Sequence, residues 1–351
     1  MRNHFIFLMM VFSLPLSGFT QDGGFTFYSK PNNGQDSNYL RTYGDYFVPA
    51  LYTIRHFSSF HIVDRVNKTQ LNYEPNISLG VGICASYKWL GVAGSMAFGF
   101  LNRDDEVYGK TKKIDFYTNL YTTRFLYDLN FQQYNGYYIG NPRAIDTSWK
   151  VGDTYYKRPD IRTSTIGMAV YYIWNNKHFS LKAPYNYCDE QLHSAGSLIL
   201  GGFFSGYGMQ ADSSIIPSVV VFQDSIRYKS IGAFDIGFSG GYAYTLVFGR
   251  KKHWFISGML LPGISNQLMA AENIYGKVPG KFSLSIKTQT RLAIGYSKPR
   301  FYWGWVVVYD AFNLSSSATS AYQYKSGYTC MSVGTRILPP KQWKKKPKEM
   351  E

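Results

Sequence analysis

Residues 281 to 297 alternate between apolar and polar over most of their length. Phe282, Leu284, Ile286, Leu292, Ile294 and Tyr296 fall on one face of an extended strand, and Lys281, Ser283, Ser285, Lys287, Gln289 and Arg291 fall on the other. Successive side chains of a strand point to opposite faces, so this segment presents one apolar and one polar surface. A half-buried strand of a soluble domain can read the same way, but here the pattern recurs. Ile77, Leu79, Val81, Ile83, Ala85 and Tyr87 alternate with Ser78, Gly80, Gly82, Cys84 and Ser86, and Phe234, Ile236, Phe238, Tyr242, Tyr244, Leu246 and Phe248 alternate with Asp235, Gly237, Ser239, Gly241 and Thr245. Repeated strands with an apolar outer face and a polar inner face predict an all-β fold. The expected architecture is an antiparallel transmembrane β-barrel of about twelve strands, range ten to fourteen, with short periplasmic turns and longer extracellular loops.

The start of the chain agrees with export. Arg2 and His4 precede an apolar run from Phe5 to Leu16, followed by Ser17, Gly18 and Thr20 before Gln21. This is the layout of a cleaved signal peptide over residues 1–20, and the run falls short of the ~20 residues a spanning helix needs. Residues 21–49 are rich in Gly, Asn, Ser and Asp and read as an extended segment able to plug a lumen. Residues 50–338 read as the barrel, and residues 339–351, with Lys341, Lys344, Lys345, Lys346 and Lys348, as a basic periplasmic tail. Aromatic residues make up 18% of the chain, with 31 Tyr, and charged residues only 17%. Lipid-facing strands with aromatic girdles use residues in this way. The location expected is therefore the outer membrane, reached by Sec-type export. The formal charge of +15 fits a basic lumen or a surface facing anionic headgroups.

Tight turns are expected near Lys88, Thr123, Asn176, Arg250 to Lys252 and Lys298 to Pro299. Long connections are expected over 102–111, 141–160, 211–229, 264–280 and 313–324. The candidate strands come to an odd number, whereas a single-chain barrel with both termini on one side needs an even one. The ambiguity lies between His178 and Ser230. Reading His178 to Tyr187 and Ala195 to Met209 as fewer than two spanning strands gives twelve.

Three stretches carry a family resemblance: Arg158 to Gly167 (RPDIRTSTIG), Ser194 to Gly202 (SAGSLILGG) and Ala211 to Pro217 (ADSSIIP), joined by Tyr137-Tyr138 after Asn135-Gly136 and by Gly240 to Tyr244 (GGYAY). The chain resembles the Bacteroidota family catalogued as domain of unknown function 4421, over roughly residues 40 to 338. The resemblance implies an outer-membrane barrel of unassigned activity and transfers no active site.

Motifs for chemistry are sparse. No phosphate loop, zinc spacing or nucleophile elbow is present, and no cofactor is expected. Cys84, Cys188 and Cys330 show no spaced pair and read as incidental. His56 and His61 face opposite sides of a strand, which argues against a shared metal site. His193 beside Ser194 is a candidate for a lipid-modifying enzyme, but sequence neighbours on a strand point apart. Asp212 with Ser213 and Ser214, followed by Pro217, reads as a loop entry or turn rather than a catalytic Ser/Asp pair. The stronger constellation is the inward polar set Lys113, Asp115, Asp128, Arg162, Asp235, Lys281, Lys287 and Arg291, with Arg336. Lining one open lumen, the basic row would select anions; in a plugged interior the same cations would pair with the acids, since unpaired buried charge is costly. The paired interior is the preferred reading. The expected function is a non-enzymatic outer-membrane barrel, either a small-solute channel or a structural or accessory component of an envelope complex. Its expected partners are outer-membrane lipids and other envelope proteins, not nucleic acid.

Overall fold

A computed structural model describes residues 22–27, 34–87, 90–98, 104–316 and 319–338. The leader over 1–20 and the tail over 339–351 lie outside them. In chain order the elements are β1 (Asp22–Phe27), β2 (Leu40–Thr42), β3 (Val48–Asp64), β4 (Thr69–Glu74), β5 (Gly80–Tyr87), β6 (Leu90–Ala97), the helical turn α1 (Asp105–Tyr108), β7 (Lys112–Tyr121), β8 (Phe125–Ile139), β9 (Lys157–Ile173), α2 (Lys182–Asn186), β10 (Asp189–Gln191), β11 (Ala195–Gln210), β12 (Tyr228–Phe248), β13 (Trp254–Asn273), β14 (Gly276–Ser297), β15 (Phe301–Ser316) and β16 (Ser320–Thr335). No helix among the described residues is long and apolar enough to cross a membrane.

Antiparallel ladders run from β3 through β16, β15, β14, β13, β12, β11, β9, β8 and β4 and return to β3, which closes a barrel of ten strands. The closure has a seam. β4 pairs with the far end of β3, Asp64 opposite Thr69, and touches β8 only through Tyr73–Ile139 and Glu74–Tyr138. Pro75 follows, and a residue without an N–H ends the ladder there. The chain resumes as β5 against the near half of β3, Ile54 opposite Gly80. β6 pairs with β5, and β7 pairs with β8. Below the β4–β8 contact the seam is thus flanked by β5, β6 and β7, and β1 lies on the free edge of β6. The long wall strands expected from the sequence are these, divided between the closed ring and its seam.

Outside, the wall is apolar. Phe238, Ile264 and Ile286 are directly opposite one another on β12, β13 and β14, at 77%, 66% and 59% exposure. Toward the rim that carries the termini, Phe248, Trp254, Tyr296 and Trp303 fall in one row across four strands. Their rings touch edge to face, Trp254–Tyr296 at 5.1 Å and Trp254–Trp303 at 5.7 Å. An apolar band ended by aromatics is the outer surface of a membrane barrel. Phe238→Arg, in the middle of that band, is expected to cost about 2–4 kcal/mol. Folding titrations in lipid vesicles measure this, and a cost near zero would remove Phe238 from the lipid face.

Three connections differ from expectation. Residues 264–280 and the described part of 313–324 are mostly ladder rather than loop. β13 and β14 stay paired out to Asn273–Gly276 past a register shift between Met269 and Ala271, and β15 and β16 out to Ser316–Ala321 past one between Asn313 and Ser315. The expected tight turn near Asn176 is instead a long excursion between β9 and β11 that re-enters the barrel. It contains α2 and β10, and no spanning strand covers His178 to Tyr187. Pro184, in the middle of this stretch, cannot supply a ladder hydrogen bond.

Candidate functional site

The interior is filled at three levels. At the terminal rim, β10 pairs antiparallel with β2, Glu190 opposite Arg41, so the excursion between β9 and β11 and the segment before β3 form one small sheet inside the barrel. Its charges are satisfied locally. Lys182 Nζ sits 3.2 Å from Asp189 Oδ2, with both side chains almost fully buried, and Ser180 Oγ donates to the same carboxylate at 2.6 Å. Tyr43 donates its hydroxyl to Glu190 Oε2. Burial, reinforced by that carboxylate, raises the Tyr43 hydroxyl above its ordinary value and keeps it the donor.

Arg336 fastens this plug to the wall. Its guanidinium lies 4.0 Å over the Tyr43 ring and donates to the Tyr187 carbonyl at 2.8 and 3.1 Å and to Ser297 Oγ at 3.0 Å. Gly304 on β15 leaves room for the Tyr187 hydroxyl, which would stand 2.1 Å from any Cβ at that position.

At mid-height, Arg291 of β14 reaches Asp128 of β8 at 2.5 Å. Five strand steps, through β13, β12, β11 and β9, separate the two around the wall, so one ion pair spans the lumen. Arg291 is 1% exposed and donates also to Asn119 Oδ1 at 3.0 Å and to the Tyr121 hydroxyl. Lys287, two inward steps along and past Gln289, holds its ammonium 4.4 Å over the Phe203 ring.

Toward the loop rim, Tyr207 of β11 and Tyr322 of β16 meet hydroxyl to hydroxyl at 3.0 Å, again from opposite sides of the ring. Above them the connection 211–227 folds inward, burying Ile215, Ile216, Val220, Phe222 and Ile226 against Phe60, Leu71 and Tyr73. Asp64 ties that cap down, accepting from Gln223 N at 2.8 Å, Gln223 Nε2 at 2.9 Å and Asn67 Nδ2 at 2.9 Å. Asp64→Ala leaves these donors short of an acceptor, a loss of about 1–3 kcal/mol. Limited proteolysis is expected to cut residues 211–227 faster in this variant. An unchanged rate would mean that the cap is held elsewhere.

The inward residues named from sequence separate into groups. Asp128, Lys287 and Arg291 come together in the middle. Asp115 accepts from Gln132 Nε2 at 3.0 Å and from the Tyr134 hydroxyl, and lies 3.1 Å from His56 Nδ1. Asp235 accepts from Ser265 Oγ and Gln267 Nε2, both at 3.0 Å. Lys113 is half-buried near the loop rim, opposite Tyr134. Lys281 is exposed, because the β13–β14 ladder carries it beyond the filled lumen. Arg162 is not on the inner face: Ile161, Thr163 and Thr165 point inward, so Arg162 shares the outer parity of Ile166 and Met168.

His193 and Ser194 do not meet. The histidine Nδ1 faces the Asn38 carbonyl at 2.7 Å, and Ser194 Oγ accepts from Val247 N at 2.9 Å. Sequence reasoning missed His56 beside Asp115 and the sheet of β2 with β10. The sole local signal for the latter was Pro184 inside an otherwise alternating stretch. Among the described residues no group of three His, Cys, Asp or Glu side chains is placed to hold a metal ion.

Residues 34–334 match the family described as Domain of unknown function (DUF4421). No curated protein matches the chain. Among solved structures, the chain is similar to the outer membrane protease OmpT from Escherichia coli, at 12% identity over 84% of this chain and 97% of that one, with a TM-score of 0.32. It is also similar to the toluene transporter TodX of P. putida, at 8% identity, 84% and 91% coverage and a TM-score of 0.20, and to OccK11 (OpdR) of Pseudomonas aeruginosa, at 6%, 84% and 99% with a TM-score of 0.18. At these values none of them lends the chain a substrate or an activity.

Proposed function

The chain belongs to the DUF4421 family, and from that premise we propose that it is an outer-membrane barrel shut by its own side chains and acting as a structural or accessory component of an envelope complex. The observation that carries this is the ion pair Arg291–Asp128 spanning the ring between opposite strands. A lumen crossed by direct contacts from opposite walls leaves no standing path for hydrated solutes at that level. The rim with the chain ends faces the periplasm, and the tall β13–β14 hairpin faces outward. An exported precursor losing residues 1–20 is part of the same reading.

The small-solute channel is the second reading, supported by the inward Lys287 and Arg291. The two part in the cell. Cross-linking in intact cells followed by detergent extraction is expected to recover the barrel with a discrete set of other envelope proteins. Recovery of the barrel alone, together with loss of small-solute uptake on its deletion, would favour the channel.

A further inference from the structure

Four residues on neighbouring strands lie on one level of the wall: Cys84 is opposite Ala50, Ala50 opposite Gly334, and Gly334 opposite Tyr302. The Tyr302 ring leans across Gly334, where a Cβ would stand 2.5 Å from it, and stacks on Tyr187 of the plug at 4.4 Å. The next plug residue, Cys188, places its sulfur 3.8 Å from Ser86 Oγ. Ser86 and Cys84 share the inner face of β5 two residues apart, about 6.6 Å along the strand. Cys84 borders a cavity of about 230 Å³ between plug and wall, which Cys330 also lines.

We propose that Cys84 and Cys188 are a disulfide-forming pair that ties the plug to the barrel wall. Register decides the pairing. Cys330 is opposite Ile54, four residues along β3 from Ala50. That separation is about 13 Å of strand, to which two strand spacings are added, against the ~4.4–6.8 Å between Cα atoms that a disulfide allows. Ser86, which Cys188 touches, is opposite Val48, further still from Ile54. The oxidant is a small-molecule or protein disulfide of the export compartment. The Cys188 thiolate attacks one sulfur of it, forming a mixed disulfide and releasing one thiolate. The Cys84 thiolate then attacks Cys188 Sγ and releases the second. One S–S bond breaks and one forms, the incoming disulfide takes up the two electrons, and its two thiolates take up the two cysteine protons.

The test uses the mature chain extracted from the outer membrane in detergent, treated with oxidised glutathione, alkylated and digested without reductant. Thiol titration is expected to fall from three to one, with Cys330 alone alkylated and a Cys84 peptide linked to a Cys188 peptide. Cys84→Ser is expected to leave two thiols, and Cys330→Ser to leave the link intact. Three persistent thiols in the folded barrel, or a link through Cys330, would overturn the proposal. A barrel that is occluded yet keeps three thiols would lose the disulfide but not the function proposed above.

Discussion

Arg291→Ala is expected to destabilise the barrel by about 3–5 kcal/mol, because it strands a buried carboxylate without its partner. Asp128 is 6% exposed and, among the described residues, holds no other ion pair, while Asn119 and Tyr121 lose their shared donor in the same step. The cost belongs to breaking the pair rather than to the pair's own net value. Removing both charges with apolar side chains of similar shape is often nearly neutral, so Arg291→Met combined with Asp128→Leu is expected to recover most of the loss. Urea titrations of the folded barrel in detergent measure both. A single-variant loss under about 1 kcal/mol, the range of solvated ion pairs, would mean that water reaches Asp128 and that the lumen is open at mid-height. Lys287→Ala removes a contact with an aromatic face, about 2 kcal/mol when desolvated, together with a longer-range attraction to Asp128 and Asp235.

The second large effect is expected at Arg336→Ala. This guanidinium is 2% exposed, bonds the Tyr187 carbonyl twice and packs on Tyr43. Hydrogen bonds to a charged group contribute about 1.5–3 kcal/mol each, and here they join the plug to the wall rather than stave to stave. Loss of Arg336 should therefore free residues 176–193 while leaving the barrel folded. In reduced protein, maleimide labelling of Cys188 is expected to accelerate at least tenfold, with the heat-dependent gel shift of the folded barrel retained. Unchanged labelling would mean that the plug is held by its own sheet with β2 and owes little to Arg336.

How far these sites could be read from the sequence depended on whether their cause was local. The lipid face was legible because water and lipid impose a period of two on each strand separately, and β12 and β14 carry it over most of their length, broken only at Gly240 and at Thr288 and Thr290. The inward row Lys287, Gln289 and Arg291 followed from the same period. The partner of Arg291 did not, because Asp128 lies on the opposite side of the ring and only closure brings the two together. Arg162 was misplaced for a local reason: its neighbours Thr163, Ser164 and Thr165 give no apolar contrast, so the parity there is set by Ile166 and Met168 further along. His178 to Tyr187 alternates well enough to resemble a strand, and only Pro184 argues against it. Residues 264–280 and 313–324 carry Gly, Asn and Ser and read as loops, yet cross-strand pairing extends the ladders through them, since neighbouring strands outweigh weak intrinsic preference.

Single-channel recording of the unmodified mature protein in a planar lipid bilayer tests the closed lumen most directly, with insertion verified by the heat-dependent gel shift. The expected result is a silent membrane at every holding potential. Steady conductance steps with an anion preference that Lys287→Glu reduces would contradict it, and would make the row of Lys287 and Arg291 a selectivity lining instead of half of a bolt across the barrel.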